Sequence, residues 1–536
     1  MKTPVENTGS IGIITDLADN DLPANAWTEG RNVVFRDGRA KKVPGYEEVY
    51  VNGDLTKISP LYMIPFTTPT TYFWVYAGTD DIYKIAGTTH SDISRAAGYN
   101  ATADFNWNGG ILGGVLFMNN GTDTPQKWSG TGLMADLTNW NYASWTGNSC
   151  RVLRPYKQFL VALDYTKDDG GTPVRYPFMV KWSHPADPGS EPSSWDETDT
   201  TKRAGEWNLM DSNGFIIDCL PLRGVNMVYK EDSVHTMRFI GGNNVFAFDQ
   251  LFSDFGLLST RCVKPLPDTR HFCVGSFLTA DIVIHDGNTK FSVVDKKVRE
   301  AVYGEIDETT YNRSFVAPNY LKDEMWFCYP TSGATYPTKA MVYNWKSNTI
   351  GFRDLPGVSH IAFGISNDST LAFTYDGMGP TDTYDSATGS LTYDARSYSP
   401  TSYTLLMTDA TNQKIYQAET TNTEDGSNMT VFLRRTGIDL AGLGNSGIVA
   451  DYHVMKELVG VWPKVKNGPV NVNVGIAQTP DGPYNWSGII TFDPTFQYKV
   501  DCRLNGRYLA VEFSSSGNVD WTLDGYSLDI IPGGER

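Results

Sequence analysis

Tyr72-Phe73-Trp74-Val75-Tyr76 runs into Gly78-Thr79-Asp80-Asp81 and resumes as Ile82-Tyr83-Lys84-Ile85. Aromatic and β-branched residues favour a pleated, half-buried surface, and a short Gly/Asp segment between two such runs is a tight turn. The stretch therefore reads as strand, turn, strand. From about residue 55 to about residue 420 the same unit keeps returning. Asn226-Met227-Val228-Tyr229 turns at Lys230-Glu231-Asp232 into Val234-His235-Thr236-Met237, and Asp281-Ile282-Val283-Ile284-His285 turns at Asp286-Gly287 into Phe291-Ser292-Val293-Val294. Met325-Trp326-Phe327-Cys328-Tyr329 precedes Ala340-Met341-Val342-Tyr343, and Leu405-Leu406-Met407 precedes Lys414-Ile415-Tyr416. The spacing is roughly 40 to 50 residues, the length of one four-stranded propeller blade. Six or seven such units fit. The Gly-His and Trp-Asp letters of WD repeats are missing, so the repeat lies in pattern alone. The expectation is an all-β chain with a β-propeller-like domain over 55–424. A chain of β-sandwiches satisfies the same pattern.

Outward from this region, Asp376 to Pro400 is dense in Asp, Tyr, Ser, Thr and Gly, which predicts an exposed insertion. After residue 425 strict alternation returns, with Leu509, Val511 and Phe513 on one face, and predicts a C-terminal β-sandwich over 425–536. One short helix is expected at Asp295 to Tyr303, capped by Asp295, with Val298 and Val302 sharing a face. Residues 1–54 contain Asn32-Val33-Val34-Phe35-Arg36, Asp37-Gly38 and Arg39-Ala40-Lys41-Lys42-Val43-Pro44-Gly45. That is a β-hairpin, read as joining the sandwich platform.

Composition narrows the function. Gly (51) and Pro (28) make up about one residue in seven, which suits short strands and tight turns over long helices. The net charge of −17 argues against a duplex-binding protein, which carries a basic footprint. Residues 1–21 lack a basic start followed by an apolar run, and no later stretch approaches 18 apolar residues. The expectation is a soluble protein without a membrane segment, made without Sec export. Six scattered cysteines without a Cys-x-x-Cys pair read as buried thiols.

Motifs of catalysis are not found. Gly442-Leu443-Gly444-Asn445-Ser446-Gly447 satisfies the dinucleotide fingerprint in letters. The acidic residue expected about 20 positions on is absent, since position 467 is Asn and 468 is Gly. The seven histidines never fall at i, i+4 spacing, and acidic groups such as Asp16/Asp19/Asp21, Asp168-Asp169 and Asp376/Asp382/Asp385 lack a calcium-loop order. Thr479-Pro480-Asp481-Gly482-Pro483-Tyr484-Asn485-Trp486 reads as a turn. No catalytic, cofactor-binding or metal residue is assigned, and paired glycosidase carboxylates on separate strands stay open.

Asp21-Leu22-Pro23-Ala24-Asn25-Ala26-Trp27-Thr28-Glu29-Gly30-Arg31-Asn32-Val33-Val34-Phe35-Arg36-Asp37-Gly38, closed by Val43-Pro44-Gly45-Tyr46, resembles the opening of tail nozzle proteins of short-tailed phages, also called tail tubular protein B or packaged-DNA stabilisation proteins. Close letters cover about 30 residues, and the layout of hairpin, propeller-like middle and sandwich resembles the family over most of the chain. The motif residues are Trp27, Asn32, Phe35, Asp37, Gly38, Pro44 and Gly45. The resemblance implies a structural virion protein of the tail, made in the host cytoplasm, and not an enzyme. It implies a homohexamer below the portal and its adaptor ring that meets fibre, spike or distal tail components. Its channel would retain the packaged DNA and conduct it during ejection without sequence-specific binding. The 376–400 insertion would narrow that channel or contact a distal tail component. Six copies at −17 each would give an acidic ring past which phosphate slides. The alternative is a glycan-binding or glycan-cleaving propeller in which Trp and Tyr serve as sugar-stacking platforms.

Overall fold

The strand-turn-strand units between residues 62 and 418 become small antiparallel meanders. The structure, a computed structural model, describes all residues except 1, 52–57, 69–70, 105, 143–146, 169–170, 243, 368–400, 440–453, 516 and 536. Among the described residues there are seven four-stranded units in chain order. Their first strands are Tyr62–Thr67, Asn108–Leu112, Ser149–Tyr156, Ile216–Leu222, Val263–Leu266, Phe315–Asn319 and His360–Asn367. The first strands of blades two to seven pack on one another in sequence, the last packs on the first, and a shared apolar cluster joins blades one and two, which closes a ring of seven blades around an axis. The fold is a β-propeller, and the chain-of-sandwiches alternative falls. Buried clusters sit between adjacent blades. Leu61, Val75, Trp107, Leu116 and Trp128 fill the space between blades one and two, and Leu222, Tyr229, Cys273 and Val283 that between four and five.

Blade seven supplies only three strands from its own stretch, His360–Asn367, Thr401–Asp409 and Lys414–Ala418. Its fourth is Tyr46–Glu48 from the N-terminal segment, with Tyr46 opposite Ala418 and Glu48 opposite Tyr416. The ring is thus closed by chain ends hydrogen-bonded within one sheet. The anticipated 376–400 insertion falls between two paired strands of this blade and lies outside the described residues, as does 442–447.

The second body is a two-sheet sandwich. One sheet holds Val500–Gly506, Val454–Lys466, Thr522–Glu535 and Lys2–Glu6. The other holds Asn485–Trp486, Ile490–Phe492, Val470–Ala477, Tyr508–Ser515, Phe432–Ile438 and Glu29–Arg31. Leu509, Val511 and Phe513 are fully buried between the sheets. The hairpin Val33–Arg36/Arg39–Lys42 lies between the two bodies. Val33 pairs with Phe352 of the sixth blade's outer strand, and Ala40 and Lys41 pair with Leu523 and Thr522 of the sandwich. One ten-stranded sheet therefore runs from the axis of the propeller through the hairpin into the sandwich.

The anticipated helix forms later than its sequence suggested, at Arg299–Glu305, with Val298 at its N-terminus and no side-chain cap. Asp295 instead pairs with Arg299 at 3.0 Å, because Lys297 and Val298 already donate their N–H groups to Val294. Val298 and Val302 are both buried on one face. Five cysteines are buried thiols and Cys502 is partly exposed; none is paired. No helix among the described residues is long and apolar enough to cross a membrane.

Candidate functional site

Among the places where polar side chains gather, two stand out by position, one between the two bodies and one at the propeller axis. The first is the junction around the hairpin. Asp37 and Gly38 both have positive φ (55° and 70°), as a two-residue type I′ turn demands, and sit at its exposed tip. Asn32, also left-handed at φ 56°, donates its amide to Asp354 (2.8 Å) and to the Thr430 carbonyl (2.9 Å), while its Oδ1 accepts the Asp354 N–H at 2.7 Å. It ties the sixth blade's edge to the sandwich. Gly45 lies so close to the chain at Thr423 that a Cβ would fall 1.8 Å from that carbonyl oxygen, and the preceding Pro44 directs the strand into blade seven. Phe35 is buried in the shared core. Trp27 belongs to the same core on its sandwich side, its indole donating to the Thr8 carbonyl at 2.7 Å and its ring against Phe513 and Tyr526.

Arg36 adds what the motif did not reveal. It grips Glu324 of blade six through two hydrogen bonds (2.6 and 2.8 Å) and Glu419 of blade seven at 3.0 Å, and Arg353 holds the other oxygen of Glu419 at 3.0 Å. Burial opposes the Arg36 charge, but the two carboxylates outweigh it and hold the proton more firmly than water does. The four side chains lock hairpin, blade six and blade seven together.

The second place is the axis. The first strands of all seven blades line a cavity of about 480 Å³. Pro65, Pro155, Pro221, Pro265 and Pro318 stand on five of those strands and all line it. A proline lacks the N–H that a central strand must donate, so it belongs on an edge strand, here one whose free edge faces the axis. Between the prolines stand charges. Arg154 and Asp218 form a two-point pair at 2.9 and 2.8 Å, and the Asp218 carboxylate also accepts the N–H groups of Arg261 (3.0 Å) and Cys219 (2.8 Å). Arg261, at φ 73°, is held in the left-handed region by that bond and by its carbonyl accepting the Val316 N–H at 3.0 Å. The His360 ring lies tilted against Tyr62 with ring centres 4.5 Å apart, and its Nδ1 accepts the Met63 N–H at 3.4 Å. Burial, with Arg261 and Lys264 nearby, keeps it neutral. Single cations scattered along the chain gave no motif, so sequence reasoning missed this set. The recurrence of proline at 65, 155, 221, 265 and 318 was the signal present.

The remaining candidates stay local. Thr479–Gly482 is a hydrogen-bonded turn, with the Gly482 N–H on the Thr479 carbonyl at 3.2 Å. Among the described residues no three His, Cys, Asp or Glu side chains meet in a group able to hold a metal.

Fold and site together define a seven-bladed β-propeller fused through its N-terminal hairpin to a β-sandwich. No protein-family model matches the chain, and no curated protein does. Among solved structures it is similar to the extracellular domain of a hybrid two-component system from B. thetaiotaomicron, with 10% identity and a TM-score of 0.40. That likeness covers 82% of this chain but 47% of the other. It is also similar to the β-propeller domain of Myceliophteria thermophila Cps50 (Swd1), with 10% identity, a TM-score of 0.31 and coverage of 65% and 94%. A third is exo-β-1,3-galactanase from Phanerochaete chrysosporium, with 9% identity, a TM-score of 0.24 and coverage of 91% and 100%.

Proposed function

We propose that this chain is a structural subunit of the tail nozzle of a short-tailed phage virion, assembling as a homohexamer whose lumen retains packaged DNA and conducts it on ejection. The observation that carries the reading is the place of the N-terminal hairpin. The stretch resembling the nozzle family reaches both bodies: Val33–Arg36 lies in the ten-stranded sheet that runs from propeller to sandwich, Glu29–Arg31 joins the sandwich's other sheet and Tyr46 enters blade seven. A ring subunit that meets a portal-adaptor ring at one end and fibre, spike or distal components at the other needs such a rigid connection. The sandwich also offers an assembly face, since Ile489, Phe496 and Tyr498 are exposed, Phe496 at 87%. Negative-stain microscopy with mass photometry of the full chain, alone and with portal and adaptor, tests this. Six-fold rings are expected, and a monomer that ignores both partners overturns it. An assembled lumen found strongly basic overturns the sliding-channel part.

A second reading is a glycan-binding or glycan-cleaving propeller. One observation favours it: Trp207 is 54% exposed and lies parallel to Phe248, with centroids 5.8 Å apart and planes 4° from parallel, as a sugar platform would. Against it, Trp27, Trp107, Trp128, Trp140, Trp195, Trp326 and Trp521 are all core residues. A glycan array with a reducing-sugar assay separates the readings, and a signal lost in Trp207→Ala would favour the second.

A further inference from the structure

The axial cavity holds an imbalance of charge that the fold itself does not explain. Three cationic side chains, Arg154, Arg261 and Lys264, line it, and Asp218 is the one carboxylate among its described lining residues. Arg154 consumes both oxygens of that carboxylate through its side chain, whereas Arg261 reaches it only through its backbone N–H. The Arg261 side chain is 94% buried by its 6% exposure, and its Nη1 has no hydrogen-bond partner. Lys264 forms no ion pair among the described residues, although a chain with 61 acidic residues could readily supply one.

An unpaired buried cation costs several kcal/mol in order of magnitude, so such groups are normally matched by an opposite charge. Here one cation is held at the axis by a left-handed backbone and another stands one strand position from a wall proline. The cavity reaches solvent where Pro221 and Pro265 are exposed, so a small molecule can enter. The five prolines thin the backbone donors of the wall, and the Arg261 guanidinium and the Lys264 ammonium are the cations placed there without a side-chain ion pair among the described residues.

We propose that the axial cavity of the propeller is a binding site for a small oxyanion, a phosphate or carboxylate group, received by Arg261 and Lys264 beside the Arg154–Asp218 pair. Arg154–Asp218 fixes the position of Arg261 through the Asp218 carboxylate and contributes no net charge. His360, neutral, and Tyr62 line another side of the pocket with their rings in tilted contact. The electrostatics agree with this geometry. Burial, then Arg154, lowers Lys264 to about 8, and burial lowers Arg261 to about 10. Both therefore have an attraction for a counter-anion that Asp218, already paired with Arg154, meets only in part. The charged and titratable groups acting on Lys264 are Arg154, Asp218, Arg261 and Cys262, and Lys264 in turn acts on His360. A bound anion would return its proton affinity toward the ordinary lysine range. The site does not depend on the nozzle reading.

The test is thermal unfolding of the full chain against inorganic phosphate, sulfate and acetate, each at ionic strength matched with chloride. The wild type is expected to gain Tm saturably with at least one of them, as mass action requires for a ligand of the native state. The more potent of phosphate and acetate identifies the group recognised. With sulfate, whose charge is constant over the range, affinity should fall as pH rises through about 8, where Lys264 loses its proton. Lys264→Met should weaken the response about tenfold or more, as loss of a charged hydrogen-bonding group does, while melting at or above the wild-type temperature without anion. Arg261→Gln should weaken it as well, and if that variant fails to fold, Lys264→Met decides alone. Anions acting no differently from chloride, or Lys264→Met keeping the wild-type response, overturns the proposal.

Discussion

At the scale of single residues, two buried polar groups determine how this molecule tolerates change. Arg36, Glu324, Arg353 and Glu419 form one network in which each charge is compensated by another. Arg36→Met leaves Glu324 buried with its main partner gone, and breaking such a pair costs about 3–5 kcal/mol. The expected result is a large drop in the urea midpoint with an unchanged slope, and a shift smaller than about 1 kcal/mol would show the network to be loosely held. The second group is Tyr229 with His271 and His285. The hydroxyl lies 2.6 Å from His271 Nδ1 and 2.8 Å from His285 Nε2. His271 Nε2 faces the Pro221 carbonyl at 3.1 Å and must carry a proton, so its Nδ1 accepts from Tyr229 and Tyr229 accepts from His285. The other nitrogen of His285 has no partner, so protonation would bury an unmatched N–H. Burial accordingly lowers His271 to about 3 and His285 to about 4. Their neutral folded forms are matched in the unfolded chain above its pKa of about 6.5. As pH falls below that, the unfolded chain gains protons that the folded one refuses, and stability falls. Each histidine contributes a slope of up to about 1.4 kcal/mol per pH unit. Stability should decline from pH 6.5 toward 4, and the double variant His271→Gln/His285→Gln should flatten that slope in denaturant titrations at stepped pH. An unchanged slope would place the acid sensitivity elsewhere.

At the scale of elements, the strand Tyr46–Glu48 closes the propeller, and Gly45 is the residue that lets it enter. Gly45→Ala would push a methyl into the Thr423 backbone, so it should shift or detach this strand. Hydrogen exchange should then rise at Lys414–Ala418, its partner, more than in blades one to five. Uniform exchange across all blades would mean that closure does not rest on this strand. Gly38→Ala, by contrast, meets nothing within 4 Å and strains only a positive φ, so its cost should be about 1 kcal/mol. The difference between the two glycines shows what sequence can and cannot convey. The Asp37-Gly38 turn was legible because a type I′ turn is a local requirement. Tyr72–Ala77 and Glu324–Tyr329 were legible because a continuous run of aromatic and apolar residues bounded by turn residues marks a buried strand. The closing strand was not legible. It has three residues and no alternation of its own, and its partner is nearly the length of the propeller away. The axial charges were illegible for a related reason. Arg154, Asp218, Arg261 and Lys264 come from three different blades, and only the ring brings them together. The helix was found but misplaced, because local backbone bonds at Val294 took the role assigned to Asp295.

At the scale of the whole molecule, the question is what covers the sandwich. Exposure of large side chains is ordinary when scattered, but Ile489 and Phe496 lie seven positions apart in one loop-and-strand segment at 63% and 87% exposure. The segment borders the sheet margin formed by Ile490–Phe492, which pairs with Val470–Ala477 on one side only. A subunit at −17 would repel its copies at long range, so a ring needs short-range apolar contact to hold it, and salt should help rather than hinder its formation. The double variant Ile489→Glu/Phe496→Glu adds charge at that contact and removes its apolar surface. Both side chains point into solvent in the single chain, so the variant's melting temperature as a monomer should stay close to the wild type's, since exposed substitutions usually change stability by less than about 0.5 kcal/mol. Its mass photometry profile should remain at 59.4 kDa under conditions where the wild type forms rings. Raising salt should shift the wild type toward rings and leave the variant behind. Rings that survive both glutamates would move the subunit contact to another face of the molecule, with the exposed edge of blades three and four around Trp207 and Phe248 as the next surface to substitute.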